Sequence, residues 1–263
     1  MTYSQETQKF QKRDLIAPIA VYVLLAAWAV LIIPLSEAAD VFQMQLIGLA
    51  GAAVLTAVVF GVVLLKKQGL RSVGLHGGQF AKAAILGLIF AIIPIIVNVA
   101  MPAILLAADI YENVQIRQFS QVSWLLFYFF IMAAYEDIFF VGFLQTRLYG
   151  VFKTDRLAIS VGAALFALVH VPVALIGGVP LLSADLLMYL VGVFFMHQAF
   201  VLIFRRYFSL VAVILLHTII NWSYTSLWIW GDADYSFFWA SVAGLLVVVV
   251  VNVWDWRVGR KAV

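Results

Sequence analysis

Five ionisable side chains stand inside otherwise apolar stretches: Glu136 and Asp137 in AAYEDIFFVGFLQ, His170 in FALVHVP, His197 in MHQAF and His217 in HTIIN. A carboxylate beside an imidazole can take a proton from water, and two donors facing them can hold the oxyanion that forms when that water attacks an amide. Glu136 with His170 suits the first task. His217 and Asn221, four residues apart and therefore on one helical face, suit the second. Such a hydrolytic site needs no thiol, and the chain has no cysteine, which excludes thiolate catalysis, thiolate metal sites and disulfides. Phe166 sits one turn before His170. Pro172 cannot donate to the carbonyl of Leu168, so a kink is expected beside the imidazole, with room for water.

The elements that must position these groups are membrane spans. The 263 residues are 65% hydrophobic and 11% charged, the profile of a polytopic membrane protein. Stretches of about 20 apolar residues fall at 15–35, 43–65, 83–107, 122–147, 157–177, 184–204, 209–230 and 236–254. They predict an all-α protein of eight transmembrane helices in a single membrane domain, 1–263, with a polar segment at 1–14 and a motif-bearing core at 122–230. The first apolar run is longer than the core of a cleaved signal peptide, so it is read as a retained span.

Charge orients this bundle. With eight spans, fifteen of the sixteen Lys and Arg residues fall on one side, and only Arg117 falls on the other, together with acids such as Glu37, Asp40, Asp109, Glu112, Asp232 and Asp234. The positive-inside rule then puts both termini in the cytoplasm. The net charge of +3 is accounted for by this orienting role, so nucleic acid is not an expected partner. The expected partners are the lipid bilayer and a peptide or membrane-protein substrate.

Depth links the polar residues. At 1.5 Å per residue, Glu136 lies about 20 Å from either end of its span, and His170 and Asn221 lie at similar depths. A carboxylate at the bilayer centre costs about 2.5 to 3.5 kcal/mol. Polar groups at one level, without water, therefore turn inward and meet, which predicts a mid-membrane site between helices four, five and seven. His197 is read instead as an interhelical hydrogen-bonding residue, and His76 in GLHGGQ as a loop residue without a task.

At these residues the chain resembles the CPBP family of CAAX-processing and bacteriocin-processing membrane proteases, also called Abi. The family pattern is Glu-Glu-x-x-x-Arg, then Phe-x-x-x-His, then His-x-x-x-Asn on a later helix; here stand EDIFFV at 136–141, FALVH at 166–170 and HTIIN at 217–221. The resemblance implies an eight-helix fold in a bacterial cell membrane and a glutamic intramembrane endopeptidase without a cofactor. It assigns Glu136 and His170 to water activation and His217 and Asn221 to the oxyanion hole, with Asp137 and Phe166 in support.

Two departures stand out. The second Glu is Asp137, and the Arg is Val141, so Asp137 lacks the partner one turn away. Arg147 lies about 16 Å nearer the cytoplasmic end by helical rise and cannot simply replace it. Asp137 is therefore expected to be protonated or to pair with a residue of another helix. A second reading follows from Val141: a non-catalytic membrane scaffold or bacteriocin-immunity protein. A third is a zinc site built from Glu136, His170 and His217, against which stand the three separate helices and the absence of a His-Glu-x-x-His helix.

Overall fold

The computed structural model describes residues 3–36, 39–108, 114–176, 178–225, 228–230 and 233–260. A short helix, α1 (Tyr3–Thr7), precedes α2 (Ile16–Ser36) and α3 (Val41–Leu65). Asp40 caps α3: its carboxylate accepts from the Gln43 amide at 2.8 Å, and the Gln43 side chain accepts from the Asp40 amide in return. The third span runs through α4 (Phe80–Ile95), a π-helical turn at Ile96–Ala100 and α5 (Met101–Ala107). The wide turn directly follows Pro94, which has no amide to continue the regular ladder.

The fourth span is the spine of the molecule. It joins α6 (Phe119–Glu136), a π-helical stretch over Asp137–Leu144 and α7 (Gln145–Phe152) without a break. Its first half shows Phe119, Phe127 and Phe130 outward, whereas all eight π-helical residues are buried. Phe139, Phe140, Phe143 and Leu144 belong to one buried core cluster with Phe200, Ile203 and Phe204 of α10. Close approach is set at Gly142, where a β-carbon would lie 2.6 Å from the Val73 carbonyl oxygen.

α8 (Asp155–Val169) and α9 (Val171–Ile176) are separated at His170, so the helix breaks beside Pro172 as its sequence leads one to expect. α10 (Ala184–Tyr207) begins at a Ser183 cap, and α11 (Val211–Thr225) and α12 (Ala233–Arg260) complete the bundle. Arg205 clasps three helices, donating to Asp155 at 2.7 Å and to Asp255 at 2.6 Å.

Among the described residues seven helices are long and apolar enough to cross a membrane, and the segment expected as span seven forms a shorter apolar helix, Val211–Ser223. The expected boundary at 230 is corrected. Trp228–Trp230 is a strand, β2, paired antiparallel with β1 (Val114–Ile116), Val114 opposite Trp230. Aromatic and β-branched residues suit a pleated ladder as well as an apolar span, and hydropathy alone does not separate the two. The molecule is an integral multi-pass membrane protein.

The polar N-terminal segment packs into the bundle. Tyr3 lies among Tyr149, Phe204 and Phe208 with ring centroids 5.3 to 5.9 Å away, and Lys153 donates to the Phe10 carbonyl at 3.2 Å. His76, expected to be idle, donates to the Phe208 carbonyl at 2.6 Å and ties the loop before α4 to the turn before α11.

Candidate active site

The two acids occupy the junction where α6 widens into the π-helix, so neighbouring carboxylates point in different directions. Glu136 faces a cavity of about 120 Å³ that it shares with His170. Asp137 is 1% exposed and turns into the bundle. Between them stands His217 of α11: its Nδ1 donates to Oδ1 of Asp137 at 3.2 Å, while its Nε2 faces Oε2 of Glu136 at 3.7 Å. The second distance is an electrostatic contact and too long for a hydrogen bond. One imidazole thus links both acids, and the Phe200 ring, 4.8 Å away, backs it.

His170 sits at the helix break, where its Nδ1 donates to the Phe166 carbonyl at 2.7 Å. That bond fixes the tautomer and leaves Nε2 able to accept a proton. Phe166 also holds the ring from below, with centroids 4.5 Å apart. Asn221 lies one helical turn beyond His217 on α11, partly buried.

The structure therefore brings Glu136, Asp137, His170 and His217 together from three elements. It supplies what the sequence left open for Asp137: the partner is His217, eighty positions away. Val141, in the place of the motif Arg, is fully buried among apolar groups. Arg147 makes no contact with the acids and bonds to Ser72, Gln68 and Thr146 instead. The π-helical stretch between Glu136 and Arg147 changes the rotation per residue, so the two do not keep the phase of a regular helix.

His197 differs from its expected role. It is fully buried, neither ring nitrogen has a hydrogen-bond partner among the described residues, and the ring stacks on Phe166 with centroids 4.8 Å apart. It therefore braces the phenyl ring on which His170 rests. No sequence signal pointed to this, since spacing within α10 says nothing about what α8 presents to it. Among the described residues no group of three or more His, Asp or Glu side chains is arranged to hold a metal ion.

The remaining cavity walls are apolar and come largely from α2 and α3, including Leu25, Trp28, Gly51 and Leu55. Sequence motifs gave no hint of these residues, because only their proximity to Glu136 and His170 distinguishes them from other span residues.

No curated protein and no solved structure is matched by this chain. Residues 118–223 match a family model described as type II CAAX prenyl endopeptidase Rce1-like. The match begins just before α6 and ends in α11, so it encloses both acids, His170, His217 and Asn221. The segment that builds the site is thus similar to the CAAX-protease family that its motifs resemble.

Proposed function

We propose that the protein is an intramembrane endopeptidase that hydrolyses a peptide bond of a peptide or membrane-protein substrate. The observation that carries this reading is the shared cavity of Glu136 and His170, with His217 reaching from the same carboxylate to Asp137. A water held between Glu136 and Nε2 of His170 gives up a proton to one of them, and its oxygen attacks the substrate carbonyl carbon. The oxyanion is held by Nε2–H of His217, in its doubly protonated form, and by the Asn221 amide. Asp137 compensates that charge through Nδ1–H. The tetrahedral species collapses as the amide nitrogen leaves, taking the proton back from Glu136 or His170. No metal is assigned to any step.

The non-catalytic reading rests on Val141. The Asp137–His217 pair weakens it, because the acid that lost its motif Arg has another buried partner in contact with Glu136. The prenyl group in the family description is not carried over, since nothing in the cavity distinguishes a prenylated substrate from a plain one.

We also propose that α11 is an eighth crossing despite its length. Both termini then share one side, the basic one, which the positive-inside rule makes cytoplasmic in a bacterial cell membrane. Labelling of single cysteines introduced near each terminus, in intact and permeabilised cells, tests this; opposite accessibilities would sink it.

The catalytic reading is tested by cleavage of a candidate peptide library by the purified protein in lipid. Wild type cleaves, and Glu136→Gln and His170→Ala each lose about a hundredfold or more in kcat. Equal cleavage by wild type and both variants would remove the assignment. A rate unchanged by chelator is expected.

A further inference from the structure

The cavity beside Glu136 and His170 has one wall outside the matched segment. That wall is built by α2 and α3, and its largest member is Trp28. The indole rests directly on Gly51: a β-carbon there would lie 2.5 Å from Nε1 and 2.9 Å from Cε2 of Trp28. Real β-carbons do not approach so closely, so the ring occupies the space that any side chain at 51 would fill. Gly48 and Ala52 belong to the same α3 face and also line the cavity. The cavity therefore owes its width at this wall to a large ring seated on a residue without a side chain.

We propose that Trp28, seated on Gly51, is a specificity-determining residue that sets the size of the substrate side chain admitted next to the scissile bond. The proposal rests on the endopeptidase reading and names the side chain its site takes. At about 120 Å³ the cavity is close to the roughly 150 Å³ void that accepts benzene in an engineered core, so it suits a compact apolar side chain. A charged side chain is excluded, because Glu136 and His170 are engaged in the reaction and the other walls offer no counter-ion. Two substitutions move the wall in opposite directions. Trp28→Leu removes the ring and widens the space. Gly51→Ala lifts the ring off α3 and narrows it.

The experiment uses one membrane-spanning reporter peptide with Ala, Leu, Phe or Trp beside the scissile bond. For Trp28→Leu, kcat/KM for the Trp peptide relative to the Ala peptide rises at least tenfold over wild type. For Gly51→Ala, the Leu and Phe peptides lose at least tenfold relative to the Ala peptide. Unchanged ratios in folded Trp28→Leu protein overturn the proposal, and this variant alone decides if Gly51→Ala fails to fold. The same four peptides are also ranked by competitive binding to wild type and to Trp28→Leu protein, each also carrying Glu136→Gln. If no peptide is cleaved, the endopeptidase reading fails, and a binding rank that shifts toward larger side chains in Trp28→Leu still upholds the gauge. A binding rank that does not shift overturns it independently of cleavage.

Discussion

The fourth span buries charge twice, about ten residues apart, and treats the two sites differently. Arg147 is fully buried, yet its guanidinium donates to Ser72, Gln68 and Thr146 and lies between the rings of Phe10 and Phe143, 4.2 and 4.5 Å from their centroids. Both of its terminal nitrogens are engaged, its Nε has no partner among the described residues, and it does not line the cavity shared by Glu136 and His170. Asp137 and Glu136, by contrast, share one imidazole among the described residues, where Oδ2 of Asp137 has no partner, and Glu136 faces the cavity. A buried charge that only holds a fold has most of its donors or acceptors met, because each unmet one costs about 1 to 3 kcal/mol. A buried charge that does chemistry must keep capacity for a ligand. On the proposed endopeptidase reading, the difference separates structural from reactive ionisation within one helix.

Four substitutions break or sharpen that contrast. Glu136→Gln carries the largest effect: about a thousandfold in kcat, near 4 kcal/mol of barrier, with the thermal midpoint unchanged. A parallel loss of stability would put Glu136 on the structural side. Arg147→Met is the converse. It strands the Gln68 and Ser72 acceptors and lowers stability by about 3 kcal/mol, read by thermal unfolding in detergent, while the protein that remains folded keeps its kcat. A kcat loss in the folded fraction would join the two sites. Asp137→Asn retains an oxygen for Nδ1 of His217 but removes the compensating charge, so kcat falls about tenfold, or 1.4 kcal/mol, with little change in KM. His197→Phe has the smallest effect. It keeps the stack on Phe166 and removes two unpartnered nitrogens, so stability rises by about 1 kcal/mol and kcat stays within about twofold; a larger kcat loss would give His197 a share in the chemistry.

The residues of the site were legible in the sequence where a single helix carries the information. Glu136, His170, His217 and Asn221 stand out as polar residues deep in apolar runs, and Pro172 announces the break at His170. Relations between helices were not legible. Nothing in EDIFFV says that α11 will present an imidazole to Asp137, and nothing in MHQAF says that α8 will offer a phenyl ring instead of a hydrogen bond. The π-helical stretch was hidden for another reason: its residues form a regular helix equally well by composition, and all eight are buried. Hydropathy likewise found the apolar stretch before β2 and overran it, because the tryptophans of WIW score as membrane residues.

The seat of the N-terminal segment bears on the order in which the chain assembles. Phe10 lies on Arg147 and against Gly150, and Tyr3 packs on Phe204 and Phe208. During synthesis these early residues emerge before any of their partners exists. Phe10 waits until Arg147 and Gly150 of the fourth span have been made, and Tyr3 until Phe204 and Phe208 at the end of the sixth. This segment, made before the helices it packs on, thus settles later than its place in the chain implies, and substitutions at Tyr3 or Phe10 would disturb that late docking and leave the earlier packing untouched.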